Sequence, residues 1–282
     1  MRIKKYKTNE YLRTSSGAWV RNFTKDSKVF LNLNKMVLNE SQETILHNEF
    51  KNIQMGFSDI STINASASNV LICSDGYNFE ENQSFLSNLP NDIAIIGING
   101  SLKKWNVKNG RKMDFYLTNN PFEESLCNIP KNYFPTCIAS SRTCNKFLKF
   151  YNKKNSNIYL YSPTPEENFN TSYGNSDYCI DDYRNPVCAG IGLAYQFGAN
   201  KIFLFCCDDI FKGERPGSER INNDLWMYPQ HKLSHELIDS NLHWMKNDEY
   251  HNVSIGHNSL GVRYNNSSYI KEEDVEEFFQ NE

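Results

Sequence analysis

No apolar run in this 282-residue chain approaches the roughly 18 residues that a membrane-spanning helix needs. Its opening, MRIKKYKTNEY, has no apolar core of the kind a secretory signal carries, so a cytoplasmic protein without a transmembrane segment is expected. A basic excess is missing too. Thirty Lys and Arg stand against 33 Asp and Glu, which gives a net charge of -3, and the pI is near 6.1. That balance argues against a general nucleic-acid or membrane-surface binder, although peripheral association with a membrane stays open. Neither Gly-x-Gly-x-x-Gly nor Gly-x-x-x-x-Gly-Lys-Ser/Thr occurs, which argues against ordinary dinucleotide and P-loop chemistry. The eight cysteines, at 73, 127, 137, 144, 179, 188, 206 and 207, include no Cys-x-x-Cys pair and fall mostly in segments that read as strands and helices. They are expected to be reduced, buried thiols.

What is present is a regular alternation beginning at Asn69. VLIC, IAIIGIN and MDFYLTNN read as strands separated by a loop (SDGYNFEENQ), a short amphipathic segment and the helix-like SLKKWNVKNG. TCIAS, NIYLYS and KIFLFCC add three more strands, the last with an apolar run Ile202 to Cys207 that does not alternate, as expected where both faces are covered. Strands separated by helical stretches imply parallel pairing with right-handed crossovers. The fold class is therefore α/β, a Rossmann-like and mostly parallel sheet with helices on both faces and a polar N-terminal extension. Residues 1–65 form that extension or a small subdomain, with strand-like KVFLNLN and a helix near Glu40 to Gln54, and residues 66–282 form the Rossmann-like domain. Two polar stretches, Ser162 to Arg184 and Lys212 to Asp224, read as long loops suited to closing over a ligand. From Trp226 a helix is expected through HELIDSNLHWMKN. VSIGHNSLGVRY then reads as a last strand and loop, and SYIKEEDVEEFF as a C-terminal acidic helix.

Candidate site residues gather where strands end. In open α/β sheets ligands collect at the carboxyl ends of the strands, so Asp208 and Asp209 after KIFLFCC mark either a site or the cap of the next turn. Ser74, Asp75 and Gly76 follow the first regular strand, where backbone amides would meet a nucleotide. Asn99 and Asn120 follow the next two strands, each suited to reading a base, ribose or sugar and equally to turn geometry. His231, His235, Asp239 and His243 recur every four residues and would share one helix side. That pattern invites a metal, but the zincin order with Glu directly after the first His is absent, and a solvated or interface face explains it as well. His231, behind Tyr228 and Pro229, sits where it can project into the sheet-end crevice as a general base.

Over roughly residues 69–262 the chain resembles the bacterial lipooligosaccharide sialyltransferases, and more distantly the domain family of 6-hydroxymethylpterin pyrophosphokinases and flagellin-modifying transferases. The resemblance rests on Arg184, the helix GIGLAYQFGANKI, the strand IFLFCCDD, Tyr228-Pro-Gln-His231, and the later Asn258-Ser259-Leu260. It implies a metal-independent inverting glycosyltransferase with a CMP-activated, sialic-acid-like donor, a glycan acceptor and no cofactor. His231 would be the base, Tyr228 the partner of the departing phosphate, and Arg184 an organiser of the site. Asp75, Gly76, Asn99 and Asn120 would contact the cytidine nucleotide, with Asp208 beside them, and a homo-oligomer is implied as well. Where the family reads Gly-Asn-Gly-Pro-Ser-Leu, this chain reads Ser74-Asp75-Gly76-Tyr77-Asn78-Phe79. That departure keeps two alternatives in view: a magnesium-dependent pyrophosphokinase with Asp208 and Asp209 on the ion, and a catalytically idle nucleotide-binding module.

Overall fold

The computed structural model describes residues 11–13, 19–21, 44–45, 47–77, 79–98, 100–105, 111–129, 133–163, 179–180, 182, 185–222, 224–247, 253–259 and 264–280. KVFLNLN, Asn99, Arg184 and most of the Ser162 to Arg184 stretch lie outside these described residues.

Tyr11–Arg13 (β1) and Trp19–Arg21 (β2) pair with each other antiparallel. Helical residues 47–54 (α1) lead to Ser58–Asp59 (β3). Then come Asn69–Cys73 (β4), Ile93–Ile98 (β5), Phe115–Thr118 (β6), Thr136–Ser140 (β7), Ile158–Pro163 (β8), Cys179–Ile180 (β9) and Lys201–Phe205 (β10). Phe211–Lys212 (β11), Glu219–Asn222 (β12) and Leu225–Met227 (β13) make a separate antiparallel sheet, and Ser254–His257 (β14) and Ser268–Tyr269 (β15) return to the main one. The remaining helices are Phe79–Asn82 (α2), Ser101–Lys104 (α3), Asn145–Asn152 (α4), Pro186–Gln196 (α5), Pro229–Lys246 (α6) and Val275–Gln280 (α7).

The main sheet runs β15-β14-β10-β4-β5-β6-β7-β8-β3, with β9 also on β8, and every pairing in it is parallel. The protein is thus an α/β Rossmann-like sheet. Because successive side chains of a strand face opposite ways, each strand feeds two cores. Val70, Ile72, Ile202 and Leu204 pack with α5 and α6 on one face, and Leu71, Cys73, Phe203 and Phe205 pack with α2, α4 and α7 on the other. All eight are completely buried, which is why their sequence reads as unbroken apolar runs. Helix α5 lies especially close to the sheet: a Cβ on Gly190 would meet Ile72 Cγ2 at 3.1 Å. Strand order reverses between β4 and β10, so the crevice at their carboxyl ends is the topological switch point.

Several elements differ from expectation. The stretch Lys212 to Asp224 contributes to the small antiparallel sheet, turning at Gly213 (φ 81°) and Gly217 (φ 77°). Its strands of two to four residues are too short for alternation to register in the sequence. Trp226 belongs to β13, and α6 begins at Pro229, whose missing N–H is harmless in a first turn. SLKKWNVKNG supplies only one helical turn, α3, before its residues 106–110 pass outside the described set. Tyr269 lies in β15, ahead of the acidic helix. Among the described residues seven cysteines are outside any disulfide, six buried and Cys127 exposed.

Part of the 1–65 stretch is built into the sheet, since β3 pairs with β8. Asn52 on α1 is fully buried at the carboxyl end of β7. Its Nδ2 donates to the carbonyls of Ser141 (2.9 Å) and Thr143 (2.7 Å), and its Oδ1 accepts from Asn145 Nδ2 (2.9 Å). Truncation to Asn52→Ala removes three hydrogen bonds from buried groups, so it should cost about 2–4 kcal/mol in urea unfolding. A cost below about 0.5 kcal/mol would show that α1 is dispensable to the domain.

Candidate functional site

The chain leaves β10 through Cys206, Cys207, Asp208 and Asp209, and this turn organises the switch-point crevice. Cys206 and Asp209 both have φ of 52°, in the left-handed region that few non-glycine residues occupy. All four carbonyls have side-chain or loop donors. Cys206 O accepts from Gly76 N (3.1 Å), Cys207 O from Tyr264 Oη (2.7 Å), Asp208 O from His235 Nε2 (2.7 Å) and Asp209 O from His231 Nδ1 (3.2 Å). A carbonyl only accepts, so His235 carries its proton on Nε2 and His231 carries one on Nδ1. Asn258, after β14, accepts the Cys206 N–H through Oδ1 (2.9 Å) and donates to Glu272 (3.0 Å).

Asp208 is 2% exposed. Its Oδ1 accepts from Tyr77 N (3.1 Å) and Ile210 N (3.2 Å), tying the loop after β4 to the turn after β10. Gly76 fits between them because it has no side chain: a Cβ there would lie 2.2 Å from Asp208 Oδ1 and 2.3 Å from Cys206 O. The acid at the strand end is therefore a loop brace, and the Gly76 amide is engaged within the protein. Asp75 turns toward β5, where Oδ1 accepts from Gly100 N (3.2 Å) and Oδ2 lies 3.6 Å from Lys104 Nζ. Asp75 thus carries its own countercharge. Asn120 serves its turn, its Oδ1 accepting from Phe122 N (2.9 Å), while neighbouring Asn119 donates to Asp182 Oδ2 (3.3 Å), which also accepts from Tyr161 Oη (2.9 Å).

Tyr228 and His231 are brought together at the start of α6, with ring centroids 5.7 Å apart and Phe211 on the other side of Tyr228 at 5.1 Å. The His231 side chain is 30% exposed. His231, His235, Asp239 and His243 do not converge. The two histidines bond to different carbonyls, Asp239 accepts from Asn265 Nδ2 and from Asn266, and His243 meets Asn266 Oδ1. Among the described residues no group of three His, Cys, Asp or Glu side chains is placed to hold a metal ion. Sequence reading missed Asn185 and Ser234. Asn185 caps α5, accepting from Val187 N and Cys188 N, and its Nδ2 donates to Ser234 Oγ (2.6 Å). The Asn-Pro dipeptide at 185–186 is the signal that could have found that cap.

No protein-family model and no curated protein matches the sequence. Among solved structures, a MAf glycosyltransferase from Magnetospirillum magneticum AMB-1 matches with a TM-score of 0.64 at 14% identity, over 82% of this chain and 38% of that one. The sialyltransferase CstII from Campylobacter jejuni, in complex with cytidine-5'-monophosphate, gives a TM-score of 0.33 at 15% identity, over 72% of this chain and 88% of that one. The first likeness shows a shared Rossmann-like fold, and the chain spans well under half of that protein's length. The second, at its score, adds no weight to the fold.

Burial raises the Asp208 carboxyl to about 7 from an ordinary 3.8, against the opposing pull of the Tyr77 and Ile210 amides. A carboxyl raised on folding binds more protons folded than unfolded between about pH 4 and pH 7, so its contribution to stability falls as pH rises through that window. Both amides use Oδ1 alone, so Asp208→Asn keeps their acceptor and removes the titration. Unfolding free energies measured from pH 4.5 to 8 should decline more steeply for the natural protein than for Asp208→Asn, by on the order of a few kcal/mol across the window. Parallel curves would refute the assignment.

Proposed function

We propose that the protein is an inverting glycosyltransferase that moves a sialic-acid-like sugar from a CMP-activated donor to a glycan hydroxyl. The observation that carries this reading is the state of His231. Its Nδ1–H is committed to the Asp209 carbonyl, which leaves the partly exposed ring to offer Nε2 as a proton acceptor beside the switch-point crevice. The fold shared with a MAf glycosyltransferase supports it by analogy. So does the order of Arg184, the acid-ended strand and Tyr228-Pro-Gln-His231.

In this reading the nucleotide lies over the loop 74–77 and the 206–209 turn, with Asn99, Asn120 and Arg184 as further contacts. Neutralisation of Asp75 by Lys104 removes the repulsion an isolated carboxylate would exert on a phosphate. The acceptor hydroxyl attacks the anomeric carbon from the face opposite the phosphate and gives its proton to His231 Nε2. As the new C–O bond forms, the bond to the phosphate oxygen breaks and CMP leaves with the electron pair, its charge met by the Tyr228 phenol. No cofactor enters these steps. The magnesium-dependent alternative needs the paired acids on an ion, whereas Asp208 is turned into two backbone amides.

His231→Gln should lower kcat by about 10²–10⁴-fold with little change in KM or melting temperature, as the loss of a general base does. Turnover at the natural rate by that folded variant would end the assignment. In thermal melts, CMP at 100 times its Kd should stabilise the protein by about 2.7 kcal/mol. Transfer from the CMP-sugar should persist in chelator. Stabilisation only by a nucleoside triphosphate with magnesium, with activity lost in chelator, would replace this reading with the pyrophosphokinase one.

A further inference from the structure

We infer that Asp209 is the positioning residue of His231: its backbone fixes the proton on Nδ1 and its carboxylate stabilises the imidazolium formed as the acceptor is deprotonated. The inference rests on the reading of His231 as the base. Neither the sequence nor the resemblance paired Asp209 with His231.

The geometry is specific to this residue. A left-handed backbone at Asp209 (φ 52°) presents both its polar groups to one imidazole: the carbonyl lies 3.2 Å from His231 Nδ1 and carboxylate Oδ2 lies 4.0 Å from the same nitrogen. Asp and Asn tolerate this conformation better than other side chains, and a non-glycine residue held there is often part of a working site. The carboxylate is itself held. Ser234, one helical turn beyond His231, donates from Oγ to Asp209 Oδ2 (3.5 Å), and Ser234 Oγ accepts from Asn185 Nδ2 (2.6 Å). The chain Asn185, Ser234, Asp209, His231 therefore links the capped start of α5 to the base. Asp208 shares none of this, since its carboxylate faces Tyr77 and Ile210, so the two adjacent acids do separate jobs. At 4.0 Å from Nδ1 a carboxylate favours the charged ring without taking the proton.

The test is a double-substitution cycle on steady-state sugar transfer in the full chain. Asp209→Asn keeps the carbonyl and a side chain that tolerates the left-handed backbone, so it should lower kcat by about 10–100-fold and leave donor KM within about twofold. Made in a His231→Gln background, the same change should cost less than about twofold, because Asp209 acts through the ring. Ser234→Ala, which frees the carboxylate without touching the strained turn, should give a smaller loss of kcat in the same direction. Undiminished kcat in both single variants would overturn the inference, as would losses that multiply fully in the double variant. Failure of the underlying reading looks different, because His231→Gln alone would then turn over at the natural rate.

Discussion

Where β10 leaves the sheet, its backbone must turn sharply in a crevice walled by two cores, and four consecutive carbonyls lose their ladder partners. Leaving such groups buried and unpaired would cost more than the turn can bear. The Gly76 amide, the Tyr264 phenol and the two histidines of α6 each take one carbonyl. Asp208 Oδ1 then gathers the Tyr77 and Ile210 amides. This requirement places the first loop, the small antiparallel sheet and α6 around one crevice. It also decides which His231 nitrogen faces the Asp209 carbonyl.

Buried polar groups are paired in the same way along the carboxyl ends of the neighbouring strands. At β7, α1 is fixed by Asn52 and by the buried ion pair of Glu49 and Arg142, 3.7 Å apart, with Ser141 Oγ donating to Glu49. Farther across, Asp182 collects Tyr161 and Asn119. Burial drives the Tyr161 phenol well above its usual range, so it stays protonated and donates. His235 and His257 are pushed down by burial, and the T-shaped packing of both rings on Tyr264 backs the turn with neutral imidazoles. His231 and Asp209 are the partly exposed pair beside that turn.

Much of the sheet was legible because its strands are covered on both faces. Val70 to Cys73 and Ile202 to Phe205 carry apolar side chains to either core, and that leaves an unbroken signature in the sequence. The small sheet was illegible because its strands are short and glycine-turned; helix α1 was legible near Glu40 to Gln54, but its docking through Asn52 onto the end of β7 was not. At the site, sequence order singled out Tyr228 and His231, which the fold brings together. It did not separate Asp208 from Asp209, because their difference lies in one backbone angle and in which amides and rings stand opposite. Asn120 and Gly76 illustrate the same limit: their residue types suit a ligand, yet their polar groups are taken up by Phe122 and Cys206.

The first loop and the β10 turn form one hydrogen-bonded unit. Amide hydrogen exchange at Gly76, Tyr77 and Ile210 tests it most directly, since these three N–H groups bond to Cys206 O and Asp208 Oδ1. They should exchange about as slowly as Leu71 and Phe203 inside the sheet, as members of one cooperative unit do. Exchange at the rate of an open loop, with the sheet still protected, would contradict the account.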